Sequence, residues 1–406
     1  MALPKETKKE VKMPLGVFEE TAELRTVLLW GAPGAEAALG QLLPTTQSLF
    51  YDSFDVPRAR EEFENAEGML KKEGVEVILV KDLFAESIND KKADKTADGL
   101  ILELRKLAEA TYEKNKDKPI LADLDEVRTW IKKAIETDVA RYGENAAVIM
   151  NSALSLGHSL PLANVIYARD QSNLMGNAWV WSSMRRQIRQ PEVSLYKGVL
   201  EHSGLVDTSL KVITVSSKDG RFEGGDGIVF KGNCYIGVGG RTNMNGVLEV
   251  ADRILDQNMR LFIPLDKDRD IWEKNEMDAM HLDTIWMPCG ENEVVACMPE
   301  VERRHIVEVV KNKKGDLEAR NIGSFAKHLE VLGVNVIEID KDEQVNFAPN
   351  FLNLGKNKII LSLPTSAGGL AAKLAKRGKN VYNANLLNIT RGYGGLHCMS
   401  APIRRG

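Results

Sequence analysis

The length, composition and charge of this chain exclude several classes of protein. It has 406 residues, of which 43% are hydrophobic and 28% charged, a balance typical of a soluble globular protein with one very large domain or two domains. A formal net charge of −4 argues against nucleic-acid binding as the main task, because such proteins usually carry a basic surplus. No apolar stretch approaches the ~20 residues that span a bilayer, so we expect no membrane partner.

The first fifteen residues and the cysteines indicate where the folded part begins and in which compartment it resides. Residues 1–13 are rich in Lys and Glu and lack the apolar core of a secretory signal, so we expect a flexible N-terminus over 1–15 and a folded region over 16–406. The four cysteines form no CxxC pair and no evident disulfide framework, which favours a reducing cytoplasm.

A helix followed by a strand recurs along the chain. In each copy a helix-like segment ends at a Gly or polar break and a β-branched strand follows, as helix-stop glycines and period-two alternation predict. Repetition of this unit is consistent with a closed ring of α/β modules, and an ordinary doubly wound sheet is an equally good alternative. In chain order the copies cover residues 58–80, 195–215, 247–263, 322–339 and 367–382.

Residues 84–156 interrupt this pattern with a long, charged, helix-rich stretch. We expect helices over 98–114 and 123–142, with Asp98 and Asp123 as candidate N-caps because each precedes an apolar-periodic run. The stretch is predicted to be an inserted helical subdomain.

Three polar segments upstream of the last cysteine carry acids and a histidine. Asp170 ends an extended run over 165–170, and Glu223 and Asp226 flank two glycines that let the backbone turn and both acids point into a cavity. His281 and Asp283 are spaced i, i+2, which places both on one face of a strand. A carboxylate beside an imidazole raises its pKa and supports proton transfer near neutral pH.

Cys398 follows Gly394 and Gly395 near the end of the sequence. A cysteine is often only a small buried hydrophobe, but the glycines allow a ligand to approach closely and favour a nucleophile on a tight polar loop. The neighbouring His397 is interpreted as positioning that loop. Cys234 and Cys297 lie in apolar strands and are interpreted as structural.

Several carboxylates in one pocket repel one another and require a cation, either a metal or a guanidinium-like substrate. Zinc would need more His and Cys ligands at motif spacing, and neither HExxH nor CxxC occurs. A planar guanidinium offers five N–H donors that match carboxylates, and its central carbon is open to attack by the cysteine.

Taken in order, these segments resemble the arginine deiminase family of the guanidine-modifying superfamily, over nearly the whole chain. The resemblance implies a five-bladed α/β propeller of the pentein type, with the inserted helical subdomain at 84–156. The motifs that carry it are residues 164–170, 222–226, 237–242, 281–284 and 394–402.

The resemblance also implies roles. Cys398 would attack the substrate carbon and form an amidino-thioether, Asp170 and Asp283 would clamp the guanidinium, and His281 would protonate departing ammonia and later activate water, oriented by Glu223. The reaction needs no metal or organic cofactor. The implied contacts to the rest of the substrate are Asn164, Arg189, Arg241, Asp226, Arg391 and Tyr393.

The glycine loop departs from the family pattern, in which two arginines are spaced i, i+2. Arg391 is kept, but Tyr393 stands in the second place and offers one neutral hydrogen bond instead of a charged fork. The main expectation is hydrolysis of a guanidino compound, with L-arginine giving L-citrulline and ammonia. Transfer of the amidino group to an amine is the alternative, and a binding protein without turnover is a third interpretation. The apolar-rich composition is compatible with a homo-oligomer.

Overall fold

The computed structural model describes residues 14–88, 91–155, 160–206, 209–266 and 279–406. The predicted flexible segment 1–15 lies outside the described residues except for its last two positions. From Gly16 onward the chain is joined to the rest of the fold, because the Gly16 N–H donates to the Ile403 carbonyl at 2.9 Å. No described helix combines the length and the apolar composition that a membrane crossing requires.

The strands are short and contain the predicted β-branched runs. They are β1 (Leu24–Leu29), β2 (Glu76–Leu79), β3 (Ser172–Met175), β4 (Ala178–Trp181), β5 (Lys211–Thr214), β6 (Gly227–Phe230), β7 (Asn233–Ile236), β8 (Arg260–Asp266), β9 (Trp286–Gly290), β10 (Glu293–Cys297), β11 (Arg304–Lys311), β12 (Leu317–Ser324), β13 (Asn335–Ile339), β14 (Leu352–Gly355), β15 (Lys358–Leu361), β16 (Asn380–Asn383) and β17 (Ser400–Arg405).

The helices alternate with these strands, so the predicted α/β class is confirmed. They are α1 (Ala35–Gly40), α2 (Thr45–Ser48), α3 (Val56–Lys72), α4 (Val80–Ser87), α5 (Ala97–Asn115), α6 (Leu124–Tyr142), α7 (Glu144–Ser155), α8 (Ala168–Gln171), α9 (Gln190–His202), α10 (Met244–Leu255), α11 (Met298–Glu302), α12 (Phe325–Val331), α13 (Lys341–Val345), α14 (Leu370–Lys376) and α15 (Leu396–Met399).

One strand arrangement recurs in every sheet of the described chain. Two antiparallel strands are followed by a third that is parallel to the second, in the orders β17-β1-β2, β3-β4-β5, β6-β7-β8, β9-β10-β13 and β14-β15-β16. A parallel neighbour needs a crossover, and helices α3, α9, α10, α12 and α14 supply it. These are the five predicted helix–strand units.

The two ends of the described chain meet in one sheet. Strand β17 pairs antiparallel with β1, from Leu24 opposite Arg405 to Leu29 opposite Ser400. Because Cys398 lies two residues before Ser400, this pairing also fixes the position of the one-turn helix α15, which contains Cys398.

Helices α5, α6 and α7 occupy the predicted helical stretch and are joined to the strand units by a buried polar cluster. Asp138 of α6 accepts a hydrogen bond from Arg60 of α3 at 3.1 Å and lies 3.5 Å from the Lys81 ammonium of α4. Asp123 caps α6 as predicted, with a reciprocal bond from the Glu126 side chain. The predicted Asp98 cap is wrong: Thr96 caps α5, because its hydroxyl accepts the Gly99 N–H.

Three local predictions of secondary structure are wrong. The run 165–170 ends in the helical turn α8 instead of extended chain, and residues 282–284 form a 3₁₀ turn instead of a strand. Residues 322–324 belong to β12 instead of the helix that follows. There the helix begins later because Ser324 caps α12, its hydroxyl accepting the Lys327 N–H.

Candidate active site

Cys398 lies in the one-turn helix α15, with only 2% of its surface exposed, so the predicted polar loop is wrong. Its Sγ atom is 3.1 Å from the Asn350 Nδ2 donor and 3.8 Å from Asp283 Oδ2. Burial raises the pKa of the thiol well above its ordinary value, and the charges of Asp283 and Asp170 raise it further. A cation beside the sulfur is therefore needed to favour the thiolate.

Asp283 joins the thiol to a buried chain of polar side chains. Its Oδ2 atom lies 2.6 Å from His397 Nδ1, and the other side of that imidazole lies 3.6 Å from Glu20. Glu20 in turn accepts a hydrogen bond from Arg405 at 2.8 Å. Burial would raise the pKa of Glu20, but the charges of Arg405 and its other cationic neighbours hold it well below its usual range. This chain fixes Asp283 through His397, the residue interpreted as positioning the loop.

His281 faces carboxylates other than the predicted one. Its Nε2 atom is 2.9 Å from Glu223 and its Nδ1 atom 3.6 Å from Asp170 Oδ1. The predicted His281–Asp283 pair is wrong because a 3₁₀ turn, unlike a strand, does not place residues i and i+2 on one face. Burial lowers the pKa of His281, but Asp170, Glu223 and Asp226 outweigh it and raise that pKa to about 9. The ring is an imidazolium at neutral pH.

The glycines between Glu223 and Asp226 allow close packing. A side chain at Gly225 would stand 2.6 Å from His281 Nδ1, and one at Gly224 would stand 2.0 Å from the Arg169 carbonyl. The acids of this segment have opposite protonation tendencies. The pKa of Glu223 is well below its usual range, because Arg241 and His281 outweigh the effect of burial.

Asp226 contacts the turn that follows His281, because its Oδ1 atom accepts the Leu282 N–H at 3.0 Å. Burial raises the pKa of Asp226 to about 7, against the opposing effects of His281 and of a hydrogen bond from Thr242. The hydrogen bond from Leu282 thus places Asp226 beside the backbone that positions His281. The sequence predicted that Asp226 contacts the substrate.

Arg189 and Arg241, two of the implied substrate contacts, pair with acids of the protein itself. Arg189 Nη1 lies 2.7 Å from Asp170 Oδ2, and its Nη2 lies 2.9 Å from Glu192. Arg241 Nη1 lies 3.7 Å from Glu223 Oε2. These guanidinium groups balance part of the negative charge of the acids.

The remaining predicted substrate contacts are Asn164, Arg391 and Tyr393, and all three contact residues 48–53. Asn164 Nδ2 donates to the Ser48 carbonyl at 2.7 Å, and Arg391 Nη1 donates to the Ser53 carbonyl at 2.6 Å. Tyr393 has left-handed backbone angles (φ 62°, ψ 27°), and its ring packs edge-on against Tyr51 with centroids 4.9 Å apart. The structure thus places Arg391 and Tyr393 beside this segment instead of against the acids.

Asp170, Glu223 and His281 could in principle hold a metal ion, since their donor atoms lie within 4.8 Å of one another. Two of these donors already face the guanidinium groups of Arg189 and Arg241. Any added cation would compete with these arginines, but a metal would also need a deprotonated nitrogen of His281, whereas the neighbouring acids favour the protonated ring, so the donor set suits a guanidinium better than a metal.

Sequence reasoning missed Asn350, Glu192, Tyr167 and Glu20. Asn350 Oδ1 accepts the backbone N–H groups of Gly395 at 3.0 Å and Cys398 at 3.2 Å, in addition to the bond from its amide to the sulfur. Tyr167 donates its hydroxyl to the Ile389 carbonyl at 2.6 Å. Asn350 and Glu20 lie outside the predicted motifs and contact the site through partners distant in sequence. Tyr167 lies within the motif 164–170 and Glu192 three residues after Arg189, so these two positions carried a local signal.

Comparison with known proteins agrees with this geometry. A family model described as arginine deiminase matches residues 46–405. The chain belongs to the arginine deiminase family. Among its relatives, the arginine deiminase of Streptococcus agalactiae serotype V (strain ATCC BAA-611 / 2603 V/R) is 25% identical over 97% of this chain and 98% of its own length. That of Mycolicibacterium gilvum (strain PYR-GCK) is also 25% identical, with the same coverage.

Solved structures establish the fold of this arginine deiminase family member. The N-terminal domain of ArgZ, an arginine dihydrolase in cyanobacteria, superposes with a TM-score of 0.55 at 15% identity, covering 94% of this chain and 97% of that chain. SxtG, an amidinotransferase from Microseira wollei, gives 0.55 at 14% identity, covering 97% and 98%. Both indicate a mixed α/β fold of the pentein type, and the family identifies an enzyme that hydrolyses C–N bonds of amidines.

Proposed function

We propose that this protein hydrolyses the guanidino group of L-arginine to L-citrulline and ammonia through an amidino-cysteine intermediate. One observation carries the proposal. Among the described residues, neither Asp170 Oδ1 nor Asp283 Oδ1 has a hydrogen-bond partner, although both atoms are buried. Buried carboxylate oxygens are rarely left unpaired, and the N–H groups of a guanidinium would satisfy both beside the thiol.

The first half of the proposed reaction forms the covalent bond. The substrate cation favours ionisation of Cys398, whose proton passes to solvent, and the thiolate attacks the guanidinium carbon to form a C–S bond. The C–N bond to one terminal nitrogen then breaks. His281, an imidazolium at neutral pH, donates its proton to that nitrogen, which leaves as ammonia.

The second half uses water. His281, now neutral, accepts a proton from a water molecule, which attacks the amidino carbon. The C–S bond breaks, the remaining O–H proton passes to solvent, where it converts the released ammonia to ammonium, the ureido group of citrulline forms and the thiolate returns. Glu223, hydrogen-bonded to His281 Nε2 at 2.9 Å, orients the ring in both halves.

Substrate entry requires an exchange of partners at Asp170. Its Oδ2 atom is paired with Arg189 at 2.7 Å, so the substrate guanidinium must compete with that side chain. We propose that Arg189 shifts towards the α-carboxylate of the substrate, where Arg241 and Asn164 also contribute. Asp226, Arg391 and Tyr393 would then support the pocket from their present positions. Agmatine, which lacks the carboxylate, should be a poor substrate.

We also propose that the five sheets are the blades of a five-bladed propeller over residues 16–406 and that 84–156 is an inserted helical subdomain. The repeated strand order supports the first statement, and the packing of α5, α6 and α7 supports the second. A cytoplasmic location is proposed on the four cysteines, which are all free.

Product analysis with L-arginine and no amine acceptor tests the proposed activity. We expect citrulline and ammonia in equal amounts, no product from Cys398→Ala, and retained turnover in Cys289→Ala, the matched variant of a buried cysteine in β9. In acid-quenched enzyme, mass spectrometry should find an arginine-derived adduct on Cys398. Ornithine formed only when an amine is added would favour the transferase alternative, and arginine stabilisation without product would favour the binding protein.

A further inference from the structure

The outer edge of one sheet is unusually long and open. Strand β12 is the last strand in the order β12-β11-β8-β7-β6, and it has eight residues. In the other described sheets, the edge strands β2, β5, β13 and β16 have only four or five residues, and the longest edge strand, β17, has six. Residues 318–323 are all exposed. An open edge of this length presents unpaired backbone groups to another strand.

The hairpin that forms β12 shows which backbone groups point outward. The Asn312 N–H donates to the Asp316 carbonyl at 2.9 Å, so these two residues are a hydrogen-bonded pair. Hydrogen-bonded and non-hydrogen-bonded pairs of residues alternate along an antiparallel ladder. By this alternation, Leu317, Ala319 and Asn321 form non-hydrogen-bonded pairs with residues of β11. Their own N–H and C=O groups therefore point to the open edge.

A second copy of β12 can pair antiparallel with this edge. Its backbone hydrogen bonds then form only in registers that place Leu317, Ala319 or Asn321 of one copy opposite one of these three residues in the other. One register sets Ala319 opposite Ala319 and Leu317 opposite Asn321. It also sets Glu318 opposite Arg320 at two symmetric places. Shifting the copy by two residues either way places Glu318 opposite Glu318 or Arg320 opposite Arg320. Opposite charges across a non-hydrogen-bonded pair stabilise a sheet, and like charges destabilise it.

Both charged side chains already stand on the same face of the strand. Arg320 Nη2 lies 2.7 Å from Glu318 Oε2, and the two side chains are 54% and 48% exposed. A second copy would therefore complete a four-charge cluster of alternating sign. Two exposed apolar side chains accompany this edge, Ile322 on β12 (44% exposed) and Val331 on the helix that follows it (76% exposed).

We propose that β12 is a self-association edge, at which a second copy of this chain adds its own β12 in antiparallel orientation, centred on Ala319. The contact is two-fold symmetric, so it closes after two subunits and joins two five-stranded sheets into one. The surface is independent of the catalytic proposal, because none of its residues belongs to the site described above.

Sedimentation velocity of the full chain over a range of concentrations tests this edge with charge reversals. We expect a dimer for the unaltered protein. Glu318→Arg and Arg320→Glu should each weaken it by at least about tenfold, because both symmetric pairs become repulsive. The double variant Glu318→Arg/Arg320→Glu should recover the original dissociation constant within about threefold, since the pairs are again opposite in charge.

Two further variants separate this edge from general effects. Ala319→Pro removes an N–H group that points outward, so it should yield a monomer with unchanged circular dichroism and arginine turnover. Lys314→Glu changes the net charge as much as Arg320→Glu does, but it lies in the hairpin turn and should leave the dimer intact. A monomeric unaltered protein, or a dimer indifferent to Ala319→Pro and to both single reversals, would overturn the proposal.

Discussion

Replacing Asn350 by Asp is predicted to disable the nucleophile while preserving its surroundings. The aspartate keeps the oxygen that accepts the N–H groups of Gly395 and Cys398, but a second oxygen replaces the donor 3.1 Å from Sγ. A hydrogen bond to a charged partner is worth about 1.5–3 kcal/mol, which corresponds to about 10- to 150-fold less thiolate at a given pH. A full negative charge at that distance would oppose the thiolate by about 5 kcal/mol at an effective dielectric constant of about 20.

The first figure is the lower limit, so we expect kcat for citrulline formation to fall at least about tenfold. The pH profile of Cys398 alkylation by iodoacetamide, read by mass spectrometry, should move to higher pH in parallel. Asn353→Asp is the matched control: Asn353 is also buried, but its amide donates to the Pro288 carbonyl at 2.8 Å, so the alkylation profile should not move. Unchanged alkylation and a kcat within about threefold of the original for Asn350→Asp would refute the assigned contact.

Four other outcomes follow from the site and the residues that support it. Turnover should decline as pH rises through about 9, where His281 loses its proton, measured as kcat/KM against pH. Because folding raises this pKa from 6.5, the contribution of His281 to the free energy of unfolding is complete below pH 6.5 and is lost as pH rises through about 9, which denaturant titration would detect. Gly225→Ala should abolish turnover by displacing the imidazole, whereas Gly239→Ala, with no atom within 4 Å of the added carbon, should retain it; similar losses in both would contradict the argument. Glu20→Ala, which leaves the buried Arg405 without a counter-ion, should lower the free energy of unfolding by about 3–5 kcal/mol, against at most about 1 kcal/mol for Glu23→Ala, whose side chain is partly exposed.

The parts of the fold that were predictable are those encoded locally. Helix α10 and strand β8 follow one another with the apolar spacing and break that the sequence displays, so their order was evident before the structure. The capping of α6 by Asp123 is equally local. The pairing of β17 with β1 was not predictable in this way, because nothing in the short segment Ser400–Arg405 identifies a partner at the other end of the chain.

In the candidate site, too, most features encoded locally were predicted correctly, and features that depend on contacts between distant segments were not. Glycine-flanked acids and the cysteine indicated the chemistry through residue type alone. The partner of His281 was predicted wrongly because it depended on assuming a strand, and a 3₁₀ turn sends Asp283 towards His397 instead. Asn350 was missed because its two roles, donor to sulfur and acceptor for two amides, exist only when distant segments meet.

The meeting of the chain ends has a kinetic consequence. Glu20 and Arg405 are 385 residues apart, so bringing them together from an unfolded chain carries a loop-closure entropy of about 5 kcal/mol. Contacts of such long range form after local structure during folding. The sulfur therefore reaches its acids only when folding is nearly finished, and partly folded chains hold the thiol without the carboxylates and histidine that the proposed reaction requires.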